Sequence, residues 1–208
     1  MTLEEIMKTA NQIYKHIQQI PLGEPFSSAM LLSYGTRANV DQTLCRLAKA
    51  GKISRITRGI FVRPKKNHYL GQVMPDSAEV VKMISKMTHA TIQIHGAEAA
   101  RIFELSTQVP AQPIFYTSGP SKQFKIGQLQ VTLKHISPRK LICPKSKAGV
   151  AISALWYLGK AHVNKTVIES IRKKMTLSEF EEFKSAASSM PGWMADALYR
   201  YEHKVQHG

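Results

Sequence analysis

The fold is decided by residues 36–63, whose sequence is TRANVDQTLCRLAKAGKISRITRGIFVR. In the first half of this stretch, apolar residues recur at positions i, i+4 and i+7, which are Val40, Leu44 and Leu47. This spacing is typical of one face of a helix and predicts a helix over about 36–50. Polar and basic side chains are then expected on its other faces.

The second half of the stretch predicts a β-hairpin. Gly51 is suited to the left-handed conformation in which many helices end. Residues 53–56 and 60–63 follow, and both segments are β-prone. Between them, Thr57-Arg58-Gly59 supplies the turn residues that a tight hairpin needs.

Two further helices are predicted before this stretch. Apolar residues at roughly helical spacing over 3–20 predict a first helix that Pro21 ends. Ser27 is a candidate N-cap for a short helix over about 28–34. Helix, short helix, helix and hairpin is the order of a winged helix-turn-helix. In that fold a helix fits the DNA major groove and a basic hairpin lies beside it.

Eight side chains of the second helix and the hairpin are predicted to contact DNA, through base edges or phosphates. They are Arg37, Asn39, Gln42, Thr43, Arg46, Arg55, Thr57 and Arg58. Asp41 is instead expected to be solvated or ion-paired, since its carboxylate would repel phosphate. Winged domains also serve as protein-interaction modules, so that alternative remains open.

The charge of the chain points to the same class of partner. The 208 residues include 29 Lys and Arg against 14 Asp and Glu, a formal net charge of +15. Residues 1–70 and 71–160 each contribute +7, from 11 basic and 4 acidic side chains, while residues 161–208 contribute +1. Such a surplus on a small protein favours a polyanionic partner, nucleic acid first.

Composition also predicts a compartment. No apolar run approaches the roughly 18–20 residues that span a bilayer. The acidic N-terminus, with Glu4 and Glu5, argues against a secretory leader. Two cysteines, Cys45 and Cys143, are too few for a disulfide scaffold or a cysteine zinc cluster. We therefore expect a cytoplasmic protein.

From residue 76 onward, helical and strand patterns alternate. Asp76 is a candidate N-cap, with Glu79 at the capping-box position, and Thr176 with Glu179 matches a second capping box. The predicted strands are 91–94, 114–117 and 129–133, and the predicted helices begin at Asp76, Gly96 and Thr176 or span 149–158, 163–174 and 193–201.

These patterns predict an α+β fold with two domains. The first is a winged helix-turn-helix over 1–70. The second, over 71–208, is a mixed α/β domain with a small mixed or antiparallel sheet and a helical C-terminal part. The polar stretch 63–68 is the candidate boundary, because its proline lacks the backbone donor that a strand inside a sheet needs.

A second basic stretch lies at 122–147. Its candidate binding residues are Lys122, Lys125, Lys134, Arg139 and Lys140. The stretch contains little acid, so it could bind DNA phosphate or an acidic protein surface. A solvated charged face is the third interpretation, and the sequence does not separate the three.

No catalytic, cofactor-binding or metal-binding motif is found, so we predict neither an enzyme nor a cofactor. His89, His95 and His135 lack metal-ligand spacing and are expected to be structural. Asp76 with Glu182-Phe183-Lys184 superficially matches the metal-binding residues of a nuclease. Glu182 falls in a predicted helix rather than a strand, which leaves a nucleic-acid enzyme as the weakest alternative.

Several short motifs of the winged region are shared with a known family. They are Phe26-Ser27, Leu31-Leu32-Ser33-Tyr34-Gly35, Val40-Asp41-Gln42, Leu44-Cys45-Arg46-Leu47, Gly51-Lys52-Ile53 and Arg55-Ile56-Thr57-Arg58-Gly59-Ile60-Phe61. These residues resemble the winged N-terminal domain of AbiEi-type antitoxins, and the resemblance covers nearly the whole sequence. The later motifs are similar to the C-terminal portion of one branch of the group. They are Gly96-Ala97, residues 105–113, Thr117-Ser118-Gly119-Pro120-Ser121 and Ser137-Pro138-Arg139-Lys140-Leu141.

This resemblance implies a role in an abortive-infection, type IV toxin–antitoxin system. The winged domain would bind inverted repeats in its own promoter and repress it, with two copies on the DNA. The C-terminal domain would be needed to counteract a nucleotidyltransferase-like toxin, with which it need not form a stable complex. Arg37, Asn39, Gln42 and Arg46 would contact the major groove, and the hairpin arginines would contact the backbone.

Overall fold

The computed structural model describes residues 3–67 and 71–205 and has the α+β composition that the sequence predicts. The helices are α1 (Leu3–Gln19), α2 (Arg37–Lys49), α3 (Ser77–Thr88), α4 (Gly96–Ile102), α5 (Lys147–Leu158), α6 (Lys165–Lys173), α7 (Leu177–Ser185) and α8 (Gly192–Val205). The strands are β1 (Pro25–Ser27), β2 (Ser54–Thr57), β3 (Ile60–Val62), β4 (Lys65–Asn67), β5 (Gly71–Val73), β6 (Ile92–Ile94), β7 (Ile114–Thr117), β8 (Lys122–Ile126) and β9 (Leu129–His135). Short 3-10 helices cover Ser28–Tyr34, Pro138–Lys140 and Ala186–Ser189.

The chain divides into two compact units. The first comprises residues 1–89 with 123–131, and the second comprises residues 90–122 with 132–208. The division after His89 does not coincide with the predicted boundary at 70/71. Residues 65–67 of the candidate boundary stretch 63–68 pair with 71–73 as an antiparallel hairpin inside the first unit. His68, the last residue of that stretch, lies outside the described residues.

The first unit is built around a three-stranded antiparallel sheet of order β1-β3-β2. Its core buries Ile13 and Ile17 of α1, Val40 and Leu44 of α2, and Phe61 of β3, together with Phe26, Leu31 and Ile53. One apolar stripe on each amphipathic helix therefore packs against the inner face of the sheet. The short helix predicted over 28–34 is present as a 3-10 helix.

The end of α2 is a Schellman motif. The Gly51 N–H donates to the Ala48 carbonyl at 3.0 Å, and the Lys52 N–H donates to the Leu47 carbonyl at 3.0 Å. Gly51 has φ +67°, the left-handed conformation predicted for it. The motif satisfies carbonyls that the helix leaves unpaired and turns the chain into the hairpin of β2 and β3.

The second unit packs its helices around one apolar core. Phe103, Ile152, Leu155, Ile168 and Phe183 are among its fully buried side chains. The sheet order is β6-β7-β9-β8, with β6 antiparallel and β9 parallel to β7, so the mixed sheet allowed by the sequence is present. Of the hairpin formed by β8 and β9, residues 123–131 belong to the first unit.

Helix caps test three sequence predictions. Thr176 and Glu179 form the predicted capping box, with backbone-to-side-chain distances of 2.8 and 3.3 Å. Asp76 caps α3, but its carboxylate accepts from the Ala78 N–H at 3.0 Å rather than sharing a capping box with Glu79. Ser27 occupies the predicted N-cap position, yet its hydroxyl makes no capping hydrogen bond.

The sequence analysis did not predict four of the strands, β1, β4, β5 and β8. Residues 122–126, expected only to lead into Gly127, form β8 with Phe124 and Ile126 buried. Two buried positions in period-two alternation, followed by glycine, are the signal that would have found it.

Among the described residues, no helix is both long enough and apolar enough to cross a membrane.

The left-handed end of α2 gives a stability prediction. A Cβ added at Gly51 would have no atom within 4 Å, so Gly51→Ala should destabilise through its backbone alone, by about 1–2 kcal/mol. Gly192 is equally open but lacks the positive φ, so Gly192→Ala should be neutral or slightly stabilising. Thermal unfolding should therefore separate the two variants by several degrees. Identical melting temperatures would contradict the left-handed assignment.

Candidate nucleic-acid interface

A groove of about 630 Å³ lies between α2 and the hairpin of β2 and β3. From α2 it is lined by Arg37, Asp41, Cys45, Ala48 and Lys49, and from the hairpin by Arg55, Arg58, Gly59 and Phe61. Residues four apart on a helix share a face, which explains why Arg37, Asp41 and Cys45 line it together. The groove has four cationic side chains and one carboxylate.

The carboxylate is engaged within the groove. Arg37 Nε donates to Asp41 Oδ2 at 3.1 Å, and both side chains are more than half exposed. The prediction that Asp41 is an ion-pair partner is therefore confirmed. An exposed i,i+4 pair of this kind stabilises the helix by only about 0.3–0.5 kcal/mol, so a stronger anionic partner can compete for Arg37.

The hairpin arginines have no comparable carboxylate. Arg55 and Arg58 are exposed, and Arg55 Nε lies 3.5 Å from the Thr57 carbonyl. Across residues 3–67 and 71–205, neither forms an ion pair. Their charges are thus available to a ligand.

The remaining predicted residues fall into two groups. Gln42 and Arg46 are exposed on α2 but lie outside the groove. Asn39 and Thr43 are buried, with exposed fractions of 7% and 8%, so the prediction that they face outward to contact DNA is wrong. The helix packs against α1 and the 3-10 helix over a wider arc than its apolar stripe.

Thr57 is half-buried and contributes its carbonyl rather than a free side chain to the Arg55 contact. Sequence reasoning missed Lys49 as a member of the groove. Its spacing from Asp41 and Cys45, eight and four residues, places it on the same face of the helix and would have identified it.

The second basic stretch is divided by the structure. Lys134 and Lys140 line a cavity of about 260 Å³ in the second unit, together with Tyr116, Ile136, Ser153 and Trp156. Lys125 and Arg139 are exposed, Lys122 is half-buried, and none of these three lines the cavity. None of the six lining residues is acidic.

Strand β6 and the start of α4 fix the polar side chains around this cavity. Gln93 of β6 is buried, and its amide nitrogen donates to the Gly149 carbonyl and to Ser153 Oγ, the latter at 2.7 Å. A Cβ on Gly96 would lie 2.6 Å from the Ser153 carbonyl oxygen and 2.5 Å from Tyr157 Cβ. The start of α4 therefore approaches α5 more closely than any other residue would allow.

His95 is the N-cap of α4 and borders Tyr116. Its Nδ1 accepts from the Ala97 N–H at 3.2 Å, and its ring centroid lies 4.7 Å from that of Tyr116. Burial, reinforced by the charge of Lys134, lowers the pKa of the His95 imidazole. The neutral ring with Nδ1 as acceptor carries its hydrogen on Nε2.

Tyr116 is held as a protonated phenol. Burial, with a smaller effect of Tyr157, raises the pKa of the Tyr116 hydroxyl, against the opposing effect of the Gly96 N–H that donates to it.

The structural role predicted for histidines also holds for His135, whose Nδ1 lies 2.8 Å from the Gly119 carbonyl. In the described part of the chain, no cluster of three His, Cys, Asp or Glu side chains could hold a metal ion.

A family model described as a family of unknown function, DUF6088, matches residues 12–182. The chain belongs to this family. Among solved structures, the RV2827C protein from Mycobacterium tuberculosis is similar, with 10% identity and a TM-score of 0.42 over 91% of this chain and 78% of that one. A comparison with curated proteins gives no match.

The imidazole cap predicts a pH dependence for this DUF6088 chain. Because the folded-state pKa of His95 is lowered from 6.5, the unfolded state takes up the proton first. The stability that the neutral His95 imidazole contributes above pH 6.5 should therefore decrease as the pH falls below 6.5. Protonation also removes the acceptor that caps α4.

His95→Asn should make this loss shallower, because asparagine caps helices without titrating. Urea unfolding at pH 7.0 and pH 5.5 measures the difference. His162→Asn is the matched control, since His162 is exposed and this change should leave the pH dependence as it is. If both variants behave like the parent chain, His95 is not the titrating group.

Proposed function

We propose that the chain is a sequence-specific DNA-binding transcriptional repressor whose residues 1–70 act as a winged helix-turn-helix. The observation that carries this proposal is the groove between α2 and the hairpin, which combines Arg37, Lys49, Arg55 and Arg58 with one carboxylate. The element order α1, β1, 3-10 helix, α2, β2, β3 supports it further.

The dimensions support a division of roles. An α-helix about 10–12 Å wide fits a major groove about 12 Å wide. In this arrangement Gln42 and Arg46, exposed on α2, face base edges. Arg55 and Arg58, on the adjacent hairpin, contact phosphates, which fix position without specifying sequence.

Charge substitutions in the groove test this proposal. Each phosphate that a cation neutralises contributes about −0.9 to the slope of log affinity against log salt. Arg58→Ala should weaken binding to all duplexes and make that slope shallower by about one unit. Asp41→Asn should strengthen binding, by up to about fivefold, because it removes a repulsive charge and releases Arg37.

The measurement is a salt titration of binding to DNA from upstream of the chain's own gene and to a scrambled duplex. Arg200→Ala removes an exposed cation of α8 and should change neither affinity nor slope. Binding that is flat between low and physiological salt would refute the proposal. An equal loss in the Arg58 and Arg200 variants would show that only total charge matters.

The antitoxin role rests on the resemblance of the sequence to AbiEi-type antitoxins. In this proposal the chain represses its own promoter as two copies on inverted repeats in the cytoplasm, and its second unit counteracts a nucleotidyltransferase-like toxin. Neither unit is proposed to catalyse a reaction.

Co-expression with a nucleotidyltransferase-like protein encoded beside the gene separates the two roles. The Arg58→Ala chain should lose repression of its promoter and still rescue growth, because the substitution changes the first unit alone. Rescue that fails together with repression would make neutralisation depend on DNA binding. An unmodified chain that gives no rescue would remove the antitoxin role and leave the repressor.

A further inference from the structure

We propose that the 260 Å³ cavity of the second unit binds a small molecule through a phosphate group. The cavity is lined by Tyr116, Lys134, Ile136, Lys140, Ser153 and Trp156. This inference is independent of the DNA-binding proposal, since every lining residue belongs to the second unit. Charge, hydrogen-bonding capacity and size each support it.

Among the described residues, no carboxylate neutralises the two lysines, a property that they share in their unit with Lys145, Lys160 and Lys165. Four other lysines there lie within 3.5 Å of a glutamate oxygen, namely Lys147, Lys173, Lys174 and Lys184. Lys134 and Lys140 have no carboxylate at ion-pair distance in the part of the chain that the structure describes. Their two positive charges match a phosphate monoester, which carries about −1.5 to −2 at neutral pH.

Neutral hydrogen-bond donors complement these charges. Ser153 Oγ accepts from Gln93, and the Tyr116 oxygen accepts from the Gly96 N–H, so each hydroxyl keeps its own hydrogen to donate. The Trp156 indole nitrogen is buried and has no hydrogen-bond partner among the described residues. An orphaned buried donor of this kind is costly unless a ligand or water satisfies it.

The number of donors favours phosphate over carboxylate. Two ammonium groups with three donor hydrogens each and two hydroxyls with one each exceed the roughly four lone-pair sites of a carboxylate. The three terminal oxygens of a phosphate monoester accept more hydrogen bonds and carry more charge. Phosphate is therefore the group that satisfies the whole set.

Size limits the rest of the ligand. A volume of 260 Å³ corresponds to about nine water molecules at roughly 30 Å³ each. That is below the roughly 300–1,000 Å³ of cavities for drug-sized ligands. It accommodates a phosphate with a small substituent, such as a sugar phosphate, and it is too small for a dinucleotide.

Trp156 makes the site observable, because the chain has only one other tryptophan, Trp193. The two rings meet edge to face at 6.1 Å, so Trp193→Phe retains an aromatic contact and leaves Trp156 as the single indole emitter. Lys140 Nζ lies 4.8 Å from the Trp156 ring centroid. A phosphate that draws this ammonium away should change the emission.

The experiment titrates the full-length Trp193→Phe chain with inorganic phosphate, with ribose 5-phosphate and with ribose, at constant ionic strength. Both phosphates should give saturable emission changes, and ribose should give none. Tighter binding of ribose 5-phosphate identifies an organic phosphate as the ligand, whereas equal binding identifies free phosphate. A linear response to both, or saturation by ribose, overturns the proposal.

Paired lysine substitutions assign the response to the cavity. Adding Lys134→Gln and Lys140→Gln together should weaken phosphate binding at least tenfold, whereas Lys160→Gln, an exposed lysine outside the cavity, should not. Only the change during titration is compared, since losing Lys140 alters the starting emission. In the unmodified chain, phosphate should raise the melting temperature, and the same rise in the double lysine variant would overturn the assignment.

Discussion

Burial of one face of α2 is the constraint on which the first unit depends. Val40 and Leu44 are almost completely inaccessible, and a helix with two such anchors four residues apart cannot rotate about its axis. Its exposed arc, with Arg37 and Asp41, is therefore set by the core. Phe61 belongs to the same apolar cluster, so the hairpin is held beside that arc, and the basic groove is a consequence of packing.

A different constraint shapes the second unit. The close approach of α4 to α5 at Gly96 removes the space that any side chain would need. This approach sets the N-cap His95 beside Tyr116 and brings a backbone N–H to the Tyr116 oxygen. The N–H groups of Ala97 and Gly96 are thereby satisfied by His95 Nδ1 and by the Tyr116 oxygen, as is usual for buried polar groups. The hydroxyls of Tyr116 and Ser153 then line a cavity together with two lysines.

The sequence predicted those features whose causes are local. The α2 helix, its end at Gly51 and the capping box of Thr176 with Glu179 depend on residues within one turn of each other. Burial of Asn39 and Thr43 depends on which elements cover the helix, and the spacing of apolar residues along one helix does not contain that information. The cavity was beyond reach for the same reason, since its residues lie in or next to four elements, β7, β9, the 3-10 helix Pro138–Lys140 and α5.

Residues 1–70 and residues 71–160 each carry a net charge of +7, but the structure places these charges in different surroundings. In the first, four cations lie along an open groove between a helix and a hairpin, a shape suited to an extended polyanion. In the second, two unpaired lysines face a cavity that holds only a small group. The last quarter of the chain has a net charge of +1 because it contains 7 basic and 6 acidic residues, and its Lys173 and Lys184 form ion pairs with glutamates. A surplus of positive charge thus predicts the sign of a ligand, and the surrounding geometry determines its size.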